Sequence, residues 1–474
     1  MKNIYKVLSI AFVLVFTACT SDFEEVNTDP NNPTVVPAEN LYTQAQFSLS
    51  DRVWGRAMNF EFGMLMVQHF SQNEYAEDSR YNQAPANFSA SWDSFYAAGL
   101  NDLVEAKNLV EANEGLEDAV RDNMLAQIAI MRVWAYQNIT DIWGDVPYSE
   151  AFQPEEFPNP TYDSQADIYT GLVAELNDAI ALISTSASGF ESGDIVFGGD
   201  MAAWGKFANS LKVRLGMRMV DANSSAASTV VSEAFASSLG VISSNDENAT
   251  FVFGSDQNIA NPFYVDAITR DDFAISMILE NSMESNSDPR LSQYAEPNSN
   301  GVILGLEYGL TDAQAFAGKA ASSRPAESIK EATAPAYLMT YAEVEFFRAE
   351  AIERNIISGN AETAFNNAVA ASHEQWGVSS SAASAYLAAN PYNSADWEAS
   401  IGYEKWVALY TQGLEAWAEH RRLDEPSLPV PAAAEISMIP VRAFYPASEA
   451  EANGASLSAV GFNDMETNMW WDVN

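Results

Sequence analysis

The chain has 474 residues, with 65 Asp and Glu against 23 Lys and Arg, and a formal net charge of −42. A surface this acidic repels nucleic acid and anionic lipid headgroups, so the charge excludes functions that need a basic phosphate-binding patch. Hydrophobic residues make up 47% of the chain, which is ample for a buried core. Beyond the N-terminus, no apolar run reaches the roughly 18 residues that a transmembrane helix needs.

The first residues of the chain form an export signal. Lys2 and Lys6 precede an apolar run over residues 7–16, and small residues lead to Cys19, the only cysteine. This pattern predicts a signal peptide over residues 1–18. Without those residues, which hold two lysines and no acid, the charge of the mature chain is 21 − 65, or −44.

Cys19 cannot form a disulfide within the chain, because it has no second cysteine to pair with. Its position resembles a bacterial lipobox, in which the cysteine becomes the lipidated first residue, although Phe16 stands where Leu is usual. We expect lipidation of Cys19, and an ordinary cleaved signal that happens to end near a cysteine is the alternative. Residues 19–36 are polar and rich in Pro and Asn, which predicts a flexible tether to the membrane.

Helical periodicity dominates the rest of the chain, and β-branched alternation is scarce. Small strands are expected at residues 251–253 and 436–439, and Pro335 is expected in the first turn of a helix. Successive amphipathic helices of this length predict an all-α fold of stacked helix pairs. The predicted helices span residues 59–70, 93–112, 116–139, 163–184, 201–220, 224–238, 334–355, 361–376 and 394–423.

Long stretches without periodicity interrupt the helices, and they are rich in Asn, Gly, Pro, Tyr and Phe. Loops of this length are unusual unless they have a function. We therefore interpret them as a recognition layer carried by a helical scaffold. These stretches cover residues 71–90, 144–162, 190–200, 254–271 and 297–325.

Signatures of catalysis and of metal binding are lacking in the sequence. The three histidines, His69, His373 and His420, do not form the paired zinc-binding pattern of a helix, and one cysteine excludes thiolate zinc clusters. There is no Gly-x-Ser-x-Gly motif. We predict a protein that is not an enzyme and that has no cofactor and no metal ion. A pair of carboxylates that hydrolyses glycosides stays open as an alternative, because some pair is inevitable among 65 acidic residues.

Aromatic residues in the irregular stretches are the candidates for ligand binding. A flat ring can cover the apolar face of a sugar while Asn, Asp and Arg bind its hydroxyl groups. The alternative for each aromatic residue is that it seals its own loop against the scaffold. The predicted glycan-binding residues are Asn73, Tyr75, Tyr81, Tyr264, Asp266, Arg270, Tyr308 and Trp376.

Six segments, spread from residue 140 to residue 446, resemble the SusD/RagB family of outer-membrane lipoproteins of Bacteroidetes, in particular its SusD-like branch. Each segment is moderately specific, but together they follow the order of the family along nearly the whole chain. The segments are TDIWGDVPY at residues 140–148, the stretch 194–218, DPRLSQY at 288–294, YAEVEFFRAEA at 341–351, the stretch 405–422 with EAWAEHRR, and IPVRAFYP at 439–446.

The resemblance implies a single helical domain over residues 37–474 with tetratricopeptide-like helix pairs. It also implies lipid anchoring in the outer membrane, facing the extracellular side, and Asp22, Glu24 and Glu25 resemble the family's surface-export tag. The implied function is capture of an oligo- or polysaccharide and its delivery to a SusC-like TonB-dependent transporter. A surface glycoside hydrolase, or a helical-repeat adaptor that binds only a protein partner, are the alternatives.

Overall fold

A computed structural model describes residues 36–473 of the chain. The predicted signal peptide, Cys19 and all but the last residue of the predicted tether lie outside the described residues. Within residues 36–473, no helix has the length and apolar character needed to cross a membrane.

Helices dominate the described chain, which confirms the predicted all-α class. They are α1 Ala38–Trp54, α2 Met64–Met66, α3 Ser89–Ser94, α4 Asn101–Ala112, α5 Asp118–Trp143, α6 Gln165–Leu182, α7 Met201–Arg218, α8 Ser224–Ala236, α9 Pro262–Ala267, α10 Met277–Ser285, α11 Leu291–Tyr294, α12 Asp312–Lys319, α13 Tyr341–Glu353, α14 Ala361–Gln375, α15 Ser380–Ala389, α16 Trp397–Ala408, α17 Gly413–Leu423, α18 Ala447–Ala452 and α19 Gly454–Val460. Two π-helical segments, Arg56–Gly63 and Phe95–Leu100, and several 3₁₀ turns join them.

Neighbouring helices pack as pairs, as the sequence predicts. The pairs are α5 with α6, α7 with α8, α13 with α14, and α16 with α17. Side chains cap the start of several of these helices: Ser164 accepts a hydrogen bond from the Asp167 amide, and Asp200 accepts one from the Ala202 amide. Within the α7–α8 pair, a Cβ at Gly216 would lie 2.5 Å from a methyl carbon of Val231, so the close approach requires glycine.

Buried ion pairs connect the helix pairs in the interior. The Arg218 guanidinium contacts Asp141 at 3.2 Å and Glu415 at 2.6 Å, which joins α7 to α5 and α17. Arg422 contacts Glu350 at 2.6 Å, which joins α17 to α13. Burial of these charges is tolerated because each has a hydrogen-bonded partner of opposite charge.

Several predicted elements differ from the structure. Pro335 does not lie in a helix: it begins strand β4, Pro335–Met339, which pairs antiparallel with β2, Ala249–Val252. Residues 436–439 form no strand. The predicted helix 394–423 is divided into α16 and α17, and α1 is a long helix that the sequence interpretation did not include.

A second two-stranded sheet positions the loops that concern function. Strand β1, Phe70–Gln72, pairs antiparallel with β3, Phe273–Ile275, and Gln72 lies opposite Phe273. The Asn73 amide then donates to the Asp272 carbonyl at 2.8 Å, which extends the pairing by one residue. Because the chain leaves β1 where it enters β3, the loop after residue 72 meets the loop before residue 273.

Candidate functional site

Tyr75 follows this junction and presents its ring to solvent. Its side chain is 61% exposed, and its backbone adopts the left-handed region with φ of 51°. A non-glycine residue in that region costs some conformational energy, so its surroundings must hold it there. On either side of it, Glu74 contacts Lys319 at 2.8 Å and the Ala76 amide donates to the Asp312 carboxylate at 2.8 Å.

Arg270 lies against the Tyr75 ring. The guanidinium carbon is 5.1 Å from the ring centre, which is within the range of a cation–π contact. Arg270 Nε donates to Asp272 Oδ2 at 2.5 Å, and the same oxygen accepts from Arg56 Nη2 at 2.8 Å. Arg56 also contacts Asp266. These charge-assisted bonds fix the orientation of Arg270 while its side chain stays 40% exposed.

Phe316 adds a second exposed ring, and the sequence interpretation did not single it out. It is 64% exposed on α12. Asp312 and Lys319 are the two α12 residues that contact the segment around Tyr75, and positions 312, 316 and 319 share one face of a helix. Phe316 therefore lies on the same face of α12 as the two residues that contact the segment around Tyr75. We call Tyr75, Arg270 and Phe316 the aromatic platform.

Next to Arg270 is a cleft of about 340 Å³, which we call the Arg270 cleft. Charged side chains surround it, and the cations are paired with acids: Arg324 contacts Asp271, and Lys330 contacts Glu327 at 2.6 Å. Partial burial acts to raise the pKa of Asp271, but the hydrogen bond and charge of Arg324 outweigh it and lower the pKa overall. The lining residues are Phe70, Phe263, Asp266, Ala267, Arg270, Asp271, Asp272, Phe273, Arg324, Pro325, Glu327 and Lys330.

A second cavity, of about 210 Å³, lies on the other side of Phe263, which lines both spaces. We call it the Trp376 cavity. Trp376 follows the last residue of α14, and its ring packs edge-on against Tyr294 with 4.7 Å between ring centres. The lining residues are Trp54, Asn261, Phe263, Gln293, Ser328, Ile329, Ala334, Pro335, Tyr337, Gln375, Trp376 and Thr411.

Five of the eight predicted binding residues lie around α9. Arg270 and Asp266 line the Arg270 cleft, Tyr75 lies against Arg270, and Trp376 lines the neighbouring cavity. Tyr264 is a half-buried residue of α9 itself and lines neither space.

The other three predicted residues, Asn73, Tyr81 and Tyr308, are buried in the interior. Tyr308 donates its hydroxyl to the Leu65 carbonyl at 2.7 Å, and the Tyr81 ring lies 6.4 Å from it. Tyr81 is 1% exposed and Asn73 is fully buried. For these residues the alternative of sealing the loop fits the structure, because neither ring has a free face on which a sugar could stack. Asn73 contributes through its backbone, in the bond to Asp272.

The half-buried aspartate Asp78 supports the loop between Tyr75 and Tyr81. It accepts a hydrogen bond from Gln72 at 2.8 Å and one from Gln83 at 3.2 Å. Burial raises the pKa of Asp78 to about 7, although the Gln72 bond opposes the shift. The loop is thus held by an acid that is largely protonated below neutral pH.

The described residues contain no cluster of three or more His, Cys, Asp or Glu side chains that could hold a metal ion. The side chains of the Arg270 cleft offer aromatic rings, cation–π contacts of Arg270 with Tyr75 and of Arg56 with Phe273, and paired charges. Such an arrangement can stack on an apolar face and exchange hydrogen bonds with hydroxyl groups.

Comparison with known proteins found similar solved structures over almost the full chain. A chitin-binding protein superposes with a TM-score of 0.81 at 26% identity, covering 92% of this chain and 100% of its own. A chitin-binding SusD homolog from Flavobacterium johnsoniae gives 0.80 at 22% identity, covering 91% of this chain and 99% of its own. A SusD homolog from Bacteroides uniformis gives 0.79 at 24% identity, covering 92% and 99%. Comparison with curated proteins gave no match.

A family profile matches residues 30–446, which include α1 to α17 and both sheets. The profile is that of the SusD-like proteins, described as starch-binding and associating with the outer membrane. The match spans all six segments on which the resemblance rests. With this match and the shared helical fold, the chain belongs to the SusD-like family.

Proposed function

We propose that the protein binds a glycan at the cell surface and that the aromatic platform with the Arg270 cleft is its binding site. The observation that carries the proposal is the exposed Tyr75 ring held against an oriented arginine, with a second exposed ring, Phe316, on α12, the helix that contacts the same segment. An exposed ring offers a flat apolar surface that the face of a sugar can cover. The family is described as starch-binding, and two similar structures are described as chitin-binding.

The charges of the cleft favour binding over hydrolysis. Asp266, Asp271 and Asp272 each accept a hydrogen bond from an arginine. A glycosidase needs one carboxylic acid whose pKa is raised, so that it can protonate the leaving group. The pKa of Asp271 is instead lowered by Arg324, once its partial burial is offset. We therefore propose a protein without catalytic activity toward its glycan.

Calorimetry against a panel of soluble polysaccharides and oligosaccharides tests the proposal. The panel should include starch fragments and chitin oligosaccharides. The platform is shallow and open to water, so we expect Kd values of roughly micromolar to millimolar. Absence of binding across the panel by folded protein would refute glycan binding. Release of reducing sugar from any member would refute the absence of catalysis.

We further propose that the mature chain is anchored in the outer membrane through Cys19, faces the extracellular side, and passes its glycan to a SusC-like TonB-dependent transporter. The lipobox-like sequence and the family description support this placement. A Cys19→Ala variant should lose incorporation of labelled fatty acid. A tagged chain purified from native membranes should bring a TonB-dependent transporter with it. The protein-only adaptor would be supported instead if two results were found together. The protein would bind no glycan, and the Tyr75→Ala and Phe316→Ala variants would still copurify with the transporter.

A further inference from the structure

The Trp376 cavity differs in chemistry from the cleft beside it. Charged side chains line the Arg270 cleft, whereas none of the described residues that line the Trp376 cavity is Asp, Glu, Lys or Arg. Its groups are rings, amides and hydroxyls, among them Trp376, Tyr337, Gln293, Gln375 and Ser328. A cavity lined in this way suits an uncharged ligand that has both an apolar face and hydroxyl groups.

The size of the cavity limits what can occupy it. Pockets for drug-sized ligands measure about 300–1,000 Å³, and this cavity measures about 210 Å³. It has room for one sugar ring and not for a chain. Ser328 is exposed at the cavity, while Trp376 and Tyr337 are half-buried, so the space opens to solvent.

The Trp376 ring is held firmly in place. It packs against Tyr294 at 4.7 Å and Tyr410 at 5.7 Å, and those two rings are stacked on each other at 4.1 Å. Both tyrosines are fully buried. A ring positioned by the core loses little conformational entropy when a ligand stacks on it.

Phe263 connects the cavity to the proposed glycan site. It lines the Trp376 cavity and the Arg270 cleft, and it belongs to the short helix α9 that lies between them. The cavity and the cleft are therefore neighbours that share one side chain.

We infer that the Trp376 cavity is a second subsite, which takes one neutral sugar ring of the glycan held at the Arg270 cleft. This inference rests on the proposed function. Once a glycan is held at the cleft, its binding in the cavity is intramolecular. Affinity should therefore rise when the glycan is long enough to reach both spaces.

A length series of oligosaccharides tests the inference. We would titrate chitin oligosaccharides of two to six units and maltooligosaccharides of two to seven units into the protein. The variants are Ser328→Trp, which fills the cavity from its exposed rim, and Gln293→Ala, which removes an amide. Both leave the packing of Trp376 on Tyr294 intact. Ser299→Trp, at a neighbouring exposed position outside both linings, is the matched control.

For the series that binds, we expect the two variants to match the wild type with the shortest ligands and to bind the longest about tenfold more weakly. Equal affinities of wild type and variants at every length would overturn the second subsite. If Tyr75→Ala then still weakened binding, the proposed site would stand alone. Wild-type affinity in Tyr75→Ala together with weakened binding in Ser328→Trp would refute the platform and keep the cavity. Absence of binding in both series would refute both proposals.

Discussion

The guanidinium of Arg270 lies 5.1 Å from the centre of the Tyr75 ring, although the two residues are almost 200 positions apart in the chain. Antiparallel pairing of β1 with β3 produces this contact, because Gln72 and Phe273 lie opposite each other at the end of the ladder. The sheet is only three residues long on each strand, yet it decides which loops share a surface. The binding site therefore depends on a contact between two segments that are separated along the chain by many of the scaffold helices.

Removal of either exposed ring should weaken glycan binding. Tyr75→Ala and Phe316→Ala each remove a ring that is more than half exposed, so they remove contact with the ligand and little packing. We expect each to cost about 1–2 kcal/mol of binding free energy, roughly five- to thirtyfold in Kd, measured by calorimetry. Thermal stability should stay within about 0.5 kcal/mol of the wild type.

Ile195→Ala is the control for these two variants, because Ile195 is 36% exposed and lines neither space around α9. It should leave the Kd unchanged. Wild-type affinity in the Tyr75→Ala, Phe316→Ala double variant would show that the glycan binds elsewhere.

Arg270→Lys should weaken glycan binding although it keeps the charge. Lysine lacks the planar fork that lies on the Tyr75 ring and donates to Asp272. We expect about a three- to tenfold higher Kd, and a change in unfolding free energy below about 1 kcal/mol because the side chain is 40% exposed. Arg121→Lys, in a surface pair with Asp118, is the matched control. An unchanged Kd in Arg270→Lys would mean that charge alone is needed.

The sequence was enough to predict most of the long helices, but not α1, and not which loop rings face outward. Tyr75, Tyr81 and Tyr308 occur in similar polar surroundings, and no local feature separates them. Tyr308 is buried because its hydroxyl reaches the Leu65 carbonyl, 243 residues away. Pro335 was assigned to a helix for the same reason: its strand exists through pairing with β2, some 80 residues earlier. Burial and strand pairing are set by tertiary contacts that periodicity does not contain.

Phe316 shows what a closer interpretation of the sequence can still find. Thr311 and Gln314 form a capping box that starts α12, and Thr311 Oγ1 donates to Gln314 Oε1 at 2.6 Å. That signature places Phe316 on a short helix inside a stretch interpreted as a loop. The helix could thus be predicted, but its neighbour Tyr75 could not, because their proximity depends on the Lys319–Glu74 and Asp312–Ala76 contacts.

Loss of one buried arginine should lower the free energy of unfolding far more than loss of an exposed arginine. Arg422 contacts Glu350 and Glu419 at 2.6 Å, and all three side chains are at most 3% exposed. Arg422→Met leaves two buried carboxylates without this partner, so we expect a loss of about 3–5 kcal/mol in the free energy of unfolding. Arg348→Met removes a pair with Glu345 in which the arginine is 32% exposed, and should cost less than about 1 kcal/mol. Chemical denaturation measures both losses. Equal losses of unfolding free energy in Arg422→Met and Arg348→Met would show that the buried network is no more important for stability than the exposed pair.

His69 should make the protein less stable in mild acid. Burial lowers the pKa of its imidazole to about 3, from an ordinary value of 6.5, and its ring lies 5.1 Å from that of Trp406. The folded state therefore resists a proton that the unfolded state accepts below pH 6.5. The contribution of His69 to the free energy of unfolding is fully present above pH 6.5 and is lost as the pH drops toward 3. Between pH 8 and pH 5 the loss amounts to about 2 kcal/mol.

His69→Phe removes this titration, so its unfolding free energy should fall between pH 8 and pH 5 by about 2 kcal/mol less than that of the wild type. Urea denaturation at the two pH values measures the difference. Met66→Leu, a buried change without a titrating group in the same segment, should shift both values by the same amount. An identical pH dependence in wild type and His69→Phe would show that the imidazole is protonated equally in the folded and unfolded chain, contrary to its burial.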